Sequence, residues 1–233
     1  MNKKIFITGC AKSGTTLFLR MCFAFENATI LYRDGFNGHE LTLNEFLELK
    51  ADTKFLIGKR LPPFILSNVE NSEFESQLEL IKKNDVAIIN IVRDGRDVIL
   101  SDGHYVKPQR WISSIKQREV YKDVIDYEIR YEDLITRPDS IQKELCNMFG
   151  LTQKASFSDY PDYVPDRVYD WNVSVLAREG KGNDINYGKR KLSNISVSKD
   201  PKAYESLCAE GERPQFEFFL KELDYMREAP NNG

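Results

Sequence analysis

A stretch near the start of the chain, TGCAKSGTT, contains the residue types that bind phosphate groups in proteins. Gly9 and Gly14 have the separation of the two glycines in a Walker A loop, G-x-x-x-x-G-K-[ST], but Thr15 follows Gly14 where that loop has its lysine. The lysine of this stretch is Lys12, which precedes Gly14 by two residues. The pattern predicts a phosphate-binding loop, here called the phosphate loop (residues 9–16), with its ammonium group in an unusual place.

The position of Lys12 changes the chemistry that such a loop can support. The backbone N–H groups of residues 13–16 are still expected to face an anion at the start of a helix, where the helix dipole favours negative charge. An ammonium in the body of the loop can reach the oxygen that bridges a terminal group to a 5'-phosphate, where negative charge builds as that bond breaks. Two other interpretations stay open on these residues alone: an ordinary strand-to-helix turn and a degenerate nucleotide-kinase loop.

A second motif, RDGRDVILS (residues 93–101), directly follows the strongly apolar run VAIINIV. Arg93 is expected to leave a buried strand at its carboxyl end, the edge where open α/β sheets bind ligands, and Ser101 to return from the following helix two turns on. A guanidinium with a hydroxyl suits a dianion. Alone, the motif is also compatible with a solvated helix start, in which Asp94 caps the helix and Arg96 is exposed.

Taken in order, these motifs resemble the sulfotransferase superfamily that uses 3'-phosphoadenosine 5'-phosphosulfate (PAPS). AKSGTT is similar to the family's 5'-phosphosulfate loop, [PA]-K-S-G-T-T, in which many members have proline at the position of Ala11. Arg93 and Ser101 match the spacing of the arginine and serine that hold the 3'-phosphate, and RYEDL (residues 130–134) is similar to a structural segment of many members. The resemblance covers about the first 150 residues and implies these cofactor-binding residues: Ala11, Lys12, Ser13, Gly14, Thr15, Thr16, Arg93 and Ser101.

The resemblance continues less closely near the carboxyl end. YGKRKLS (residues 187–193) is similar to the family stretch G-[KR]-W-[KR]-x-x-L-S, with Arg190 where tryptophan is common. It implies that Lys189 and Arg190 close over the cofactor phosphates, although a solvated basic turn has the same composition. REGKGN (residues 178–183) is a rival basic segment for that role.

Sulfuryl transfer also needs a base for the proton of the acceptor. Cytosolic sulfotransferases have a histidine in K-T-H-L-P after the third strand, but the corresponding run here is GKRLP, which places Arg60 there, and arginine does not deprotonate in proteins. The branch of the family that uses glutamate therefore points to Glu40, with His39 and His104 as further catalytic candidates. A polar loop before the next helix explains Glu40 and His39 equally well, and a surface or core histidine explains His104.

Apolar periodicity predicts an α/β fold that positions these residues: a three-layer sandwich with a mainly parallel central sheet. Strands are predicted in the segments KKIFIT, FLIG, VAIINIV and DYEIRY. Helices are predicted over residues 15–25, in LTLNEFLELK with Thr42 and Glu45 as a capping box, in NSEFESQLELIKK, WISSIKQREVYKDV and PDSIQKELCNMFG, and over residues 202–209 and 214–227.

Length and composition favour a single domain over residues 1–233, which by the resemblance is sulfotransferase-like, with a long loop or lid region at about 152–196. The formal charge of −3 argues against general nucleic-acid binding, and no apolar run reaches the length of a membrane span. No export signal is evident, and four cysteines without a C-x-x-C pair favour free thiols, no metal site and a cytoplasmic location.

The resulting hypothesis is a PAPS-dependent sulfotransferase that transfers a sulfuryl group to a hydroxyl or amine of a small-molecule or carbohydrate acceptor. A P-loop nucleotide or small-molecule kinase is one alternative, although Thr15 contradicts it. A non-catalytic nucleotide-binding protein is the other, because Arg60 replaces the histidine base.

Overall fold

The computed structural model describes residues 2–31, 43–59, 71–101, 106–164 and 203–226. Five strands lie in this part of the chain: β1 (Lys3–Gly9), β2 (Ala28–Leu31), β3 (Phe55–Lys59), β4 (Ala87–Val92) and β5 (Tyr127–Arg130). The helices are α1 (Thr15–Met21), α2 (Leu43–Glu48), α3 (Asn71–Lys83), α4 (Gly95–Ile99), α5 (Pro108–Tyr121), α6 (Tyr131–Thr136), α7 (Pro138–Phe149), α8 (Tyr160–Tyr163) and α9 (Arg213–Glu222).

The strands form one parallel sheet in the order β2-β3-β1-β4-β5, which confirms the predicted α/β class. β1 lies at the centre, with Ile7 paired to Lys59 of β3 on one side and Gly9 paired to Ile91 of β4 on the other. The carboxyl ends of these three strands therefore meet at one edge, where the residues that follow β1 and β4 become neighbours. β2 was not predicted, because its four residues give no clear periodicity.

Helices cover both faces of the sheet. Alternate residues of β1 point to opposite sides: Ile5 and Ile7 pack in one cluster with Phe18 of α1, whereas Phe6 packs in another with Phe46 of α2. All six residues of β4 are buried, as expected for a strand with helices on both sides. No helix among the described residues is long and apolar enough to cross a membrane.

Several predicted helices have different bounds in the structure. The helix predicted over residues 15–25 changes to a 3-10 turn at Cys22–Ala24, and the one predicted over residues 202–209 is a 3-10 turn at Ala203–Ser206. α9 ends at Glu222, five residues before its predicted end, and Asp224 beyond it has a φ of +61°. Thr42 of the predicted capping box lies outside the described residues.

Candidate functional site

The phosphate loop reverses the chain between β1 and α1. Three of its residues have positive φ angles: Gly9 (147°), Lys12 (68°) and Gly14 (98°). Ser13 is buried and closes the turn, since its N–H donates to the Cys10 carbonyl at 3.0 Å and its hydroxyl donates to the same oxygen at 2.6 Å. Both donors of Ser13 thus stabilise the loop itself, which differs from the prediction that the row of anion-facing N–H groups begins at Ser13.

The row of available backbone donors begins one residue later. Within the described part of the chain, the N–H groups of Gly14, Thr15 and Thr16 have no hydrogen-bond acceptor, and the first helical bond of α1 runs from the Phe18 N–H to the Gly14 carbonyl at 3.0 Å. Unpaired N–H groups at the first turn of a helix are the usual donors to a bound phosphate. The exposed side chain of Lys12 adds a positive charge beside them.

Tyr131, the first residue of α6, packs directly against the loop. A Cβ atom at Gly14 would lie 2.3 Å from Cδ2 of the Tyr131 ring, so glycine is required at this position for space as well as for its φ angle. The guanidinium of Arg93 lies 4.2 Å from the centre of the same ring. The sequence analysis treated RYEDL as structural and did not predict that Tyr131 would join the two motifs.

Arg93 itself reaches the phosphate loop. Its Nη1 donates to the Lys12 carbonyl at 2.8 Å, and its Nη2 lies 3.9 Å from Asp97 Oδ2. The side chain is 13% exposed, which leaves the guanidinium at the surface of the loop rather than in open solvent. The structure therefore brings together Lys12 and Arg93, the two charged residues that the motifs predicted at one site.

The turn after β4 is fixed by an ion pair. As in the alternative interpretation of this motif as a helix start, Asp94 caps α4 by accepting a hydrogen bond from the Arg96 N–H at 2.9 Å. Arg96 is not the exposed side chain of a solvated helix start: its guanidinium pairs with Asp94 and donates to the Tyr225 carbonyl at 2.8 Å. The hydrogen bond to Asp94 raises the pKa of Arg96 above its ordinary value.

Ser101 lies in a different local structure from the predicted one. α4 ends at Ile99 after five residues, so Ser101 follows a helix of little more than one turn instead of standing two turns along it. Its hydroxyl donates to the Val98 carbonyl at 2.7 Å. A role of Ser101 at a 3'-phosphate stays a prediction and would require this hydroxyl to rotate.

Lys59 is a site residue that the sequence analysis missed. It is the last residue of β3, and its Nζ donates to Thr16 Oγ1 at 2.8 Å. The contact forms because β3 is the direct neighbour of β1, which places the ends of both strands side by side. Its position at the carboxyl end of a buried strand could have indicated this role. The family resemblance instead pointed to the adjacent Arg60, which lies outside the described residues.

The remaining candidates also lie outside the described residues: Glu40, His39, His104, Lys189, Arg190 and most of the predicted lid region. Two of the aromatic residues between Tyr160 and Trp171 are described, and both are packing residues. Tyr160 is buried, and the Tyr163 hydroxyl donates to the Met21 carbonyl at 3.1 Å.

Within the described residues, the cysteines do not form a reactive or metal-binding group. All four are free thiols, as predicted, and burial raises the pKa of Cys10, behind the phosphate loop, to about 12. The described part of the chain has no group of three or more His, Cys, Asp or Glu side chains that could hold a metal ion. The candidate site is therefore built from backbone N–H groups, two lysines, one arginine and hydroxyls.

Solved structures with a similar arrangement of helices and strands match nearly the whole chain. The sulfotransferase domain from the Synechococcus PCC 7002 olefin synthase has a TM-score of 0.55 and 15% identity, and the match covers 98% of this chain and 96% of that one. For the sulfotransferase domain from the curacin biosynthetic pathway the TM-score is 0.57, with 13% identity over 98% and 99% of the two chains. The chain has the sulfotransferase fold.

Mouse sulfotransferase SULT7A1, in a crystal structure complexed with PAP, shares this fold with a TM-score of 0.51 and 15% identity, covering 93% of this chain and 89% of that one. No protein-family model and no curated protein sequence matches the chain. The sulfotransferase fold thus confirms the predicted resemblance through the arrangement of helices and strands.

Proposed function

We propose that the chain is a PAPS-dependent sulfotransferase that transfers a sulfuryl group to a hydroxyl or amine of a small-molecule or carbohydrate acceptor. Two kinds of support combine. The fold is that of sulfotransferase domains, and one similar structure contains PAP, the desulfated form of this donor. The phosphate loop and Arg93 are in direct contact in this chain, as an adenosine ligand with phosphates at both the 5' and 3' positions requires.

The contact between Lys59 and Thr16 is the observation that favours sulfuryl transfer over phosphoryl transfer. Thr16 occupies the Ser/Thr position of the Walker A pattern, whose hydroxyl binds Mg²⁺ in P-loop kinases. Here that hydroxyl accepts a hydrogen bond from an ammonium group at 2.8 Å. The protein thus supplies its own cation at the place where a kinase needs a metal ion, which favours metal-independent sulfuryl transfer over phosphoryl transfer.

The donor set fits the proposed cofactor. The N–H groups of Gly14, Thr15 and Thr16 would hold the 5'-phosphate, and the Nη2 group of Arg93 would contribute to the 3'-phosphate. Tyr131 keeps Arg93 and the loop at a fixed separation. When bound, PAPS supplies an activated sulfuryl group on its 5'-phosphate.

The two lysines would act on the charge that develops during transfer. Lys12 lies within the loop and Lys59 contacts its last residue, Thr16, and an ammonium at the bridging oxygen stabilises the negative charge that appears there. Glu40, with His39 and His104 as the other candidates, would accept the proton of the acceptor. A Glu40→Gln variant with unchanged turnover and an unchanged pH profile would contradict this role.

Release of the desulfated nucleotide tests the reaction directly. The protein is incubated with PAPS, EDTA and a panel of phenolic, amine and carbohydrate acceptors, and the formation of adenosine 3',5'-bisphosphate is followed. We expect acceptor-dependent release in the presence of EDTA, and no transfer from ATP with Mg²⁺. Transfer from ATP that needs Mg²⁺ would establish the kinase alternative, whereas tight bisphosphate binding without turnover on any acceptor would favour the non-catalytic one.

Several further features of the hypothesis are still predictions. A single domain over residues 1–233 and a cytoplasmic location stay predictions, as does the closure of Lys189 and Arg190 over the phosphates. A preference for a carbohydrate or small metabolite as acceptor is likewise part of the proposal, and the acceptor panel above includes both classes.

A further inference from the structure

The last described residues turn back onto the site. α9 ends at Glu222, Asp224 has a φ of +61°, and the Tyr225 N–H donates to the Leu220 carbonyl at 2.8 Å. This C-terminal turn (residues 223–226) reverses the chain and brings Tyr225 to the edge of the sheet where β4 and β5 end. The proposed sulfuryl-transfer chemistry gives Tyr225 no role.

A single carboxylate links Tyr225 to the turn that carries Arg93. The Tyr225 hydroxyl donates to Glu132 Oε2 at 3.1 Å, and the other oxygen of Glu132 accepts the Asp94 N–H at 3.1 Å. Asp94 is the residue directly after Arg93. The hydrogen bonds thus run from the C-terminal turn to the backbone beside the arginine that we assign to the 3'-phosphate.

Two arginines hold the other parts of Tyr225. Arg96 donates to its carbonyl at 2.8 Å while pairing with Asp94, and the guanidinium of Arg130 lies 4.7 Å from the centre of its ring. Arg130 also donates to the Leu223 carbonyl. Tyr225 therefore contacts residues at or just after the ends of β4 and β5 through its hydroxyl, its ring and its carbonyl.

We infer that Tyr225 is a positioning residue for Arg93, and through it for recognition of the 3'-phosphate. This inference rests on the proposed function. The phosphate loop is closed by its own hydrogen bonds between Ser13 and Cys10, and Arg93 contacts it at the Lys12 carbonyl, so the 5'-phosphate donors depend less on the C-terminal turn than Arg93 does. Loss of the Tyr225 hydroxyl therefore affects the two ends of the nucleotide unequally.

Calorimetric titration with two nucleotides measures this inequality. Tyr225→Phe keeps the ring over Arg130 and removes the hydrogen bond to Glu132. We expect adenosine 3',5'-bisphosphate to bind roughly 3- to 10-fold more weakly, the loss typical of one hydrogen bond, and adenosine 5'-monophosphate to bind as in the unchanged protein. Glu132→Gln, which weakens the same link from its other side, is expected to give the same selective loss.

Tyr204→Phe is the matched control. The Tyr204 hydroxyl donates to Glu217 Oε1 of α9 at 2.9 Å, so its loss removes a hydrogen bond of the C-terminal part but none of the hydrogen bonds that join Tyr225, Glu132 and Asp94. This variant is expected to bind both nucleotides like the unchanged protein. Melting temperatures of all variants are measured alongside to establish that they are folded at the titration temperature.

Three results would overturn the inference. Equal weakening for both nucleotides in Tyr225→Phe would reveal a purely structural role, and unchanged affinity for both in Tyr225→Phe and Glu132→Gln would show that the link has no effect. If the unchanged protein already binds the two nucleotides equally, the assignment of Arg93 to the 3'-phosphate fails, and the inference fails with it. That last result is visible before any substitution is made, so the failure of the proposed function is distinguished from the failure of the inference alone.

Discussion

The Nζ atom of Lys59 lies 2.8 Å from Oγ1 of Thr16, which joins the last residue of β3 to the first turn of α1. Thr16 is thereby oriented from outside its own helix, by a side chain that comes from the neighbouring strand. An ammonium and a divalent metal ion both stabilise negative charge on phosphate oxygens, but the lysine is permanently attached to the protein. We therefore expect the proposed sulfuryl transfer to proceed without added metal.

Lys59→Met should remove this charge and keep most of the length of the side chain. We expect turnover with PAPS to fall by roughly 10²- to 10³-fold, the cost of losing one preorganised electrostatic contact in a transition state. Lys54→Met is the control, because Lys54 lies just before the opposite end of β3, where its Nζ is 5.2 Å from the centre of the Phe55 ring. Equal turnover in the two variants would show that Lys59 has no role in the reaction.

Lys12→Ala separates binding from chemistry. If Lys12 acts on the bridging oxygen, turnover should fall by about 10²-fold or more, whereas binding of adenosine 3',5'-bisphosphate should weaken by about tenfold at most, since that ligand lacks the bond that breaks. Steady-state kinetics and calorimetry on the same preparation give both numbers. Lys3→Ala, at the exposed start of β1, serves as the control. A loss of affinity as large as the loss of turnover would assign Lys12 to ground-state binding only.

Gly14→Ala should damage the phosphate loop through sterics. The added methyl group would lie 2.3 Å from the Tyr131 ring, at a residue whose φ is +98°. We expect a loss of at least about 2 kcal/mol in the free energy of unfolding, and with it a melting temperature several degrees lower. Gly211→Ala is the control, because a Cβ atom there has no neighbour within 4 Å. Two equally stable variants would contradict the packing of Tyr131 on the loop.

Strand and helix patterns predicted most of the fold, because β1, β3 and β4 are largely apolar runs and β5 alternates apolar and polar residues. β2, like β5 a four-residue edge strand, was missed because its residues ATIL show no sustained alternation. The early end of α9 could not be predicted either, because it depends on the turn at Asp224 and on the contacts that Tyr225 makes with distant residues.

Short sequence motifs predicted only part of the candidate site. The phosphate loop and Arg93 each follow a strand, so their residue types and spacing identify them. Lys59 and Tyr131 join the site only through the order of the strands, β3 beside β1 and β5 beside β4, which no local pattern contains. The role of Ser13 could not be predicted locally either. Its hydroxyl is of a type that can bind phosphate, but the side chain is buried and donates to the Cys10 carbonyl within the turn.

The stability of the fold should depend on pH through Asp139, at the start of α7. Burial alone would raise its pKa, but hydrogen bonds from Ser156 and Ser158 outweigh it and leave the pKa below its ordinary value. A lowered carboxyl pKa stabilises the fold at pH values above the unfolded-state pKa of about 3.9, and this contribution is lost as the pH falls through the folded-state value.

Because Asp139 is exposed and solvent screens its interactions, Asp139→Asn is expected to lose only about 0.5 kcal/mol of unfolding free energy at pH 7, and the difference from the unchanged protein should narrow as the pH falls through the folded-state pKa. Urea denaturation at a series of pH values measures it. Asp123→Asn, which replaces an exposed carboxylate in the same way, is measured as the control. A gap for Asp139→Asn that stays constant from pH 7 to pH 3 would show that the charge of Asp139 has no part in it.

Nucleotide selectivity in the absence of metal tests the central claim most directly. The unchanged protein is titrated by calorimetry with adenosine 3',5'-bisphosphate and with ATP, both in EDTA. A site built from Lys12, Lys59, Arg93 and the loop N–H groups is expected to bind the bisphosphate at least about tenfold more tightly than ATP, because Arg93 recognises the 3'-phosphate and Lys59 takes the place of the metal. Equal binding of the two, or binding of ATP that appears only with Mg²⁺ while the bisphosphate fails to bind, would contradict it.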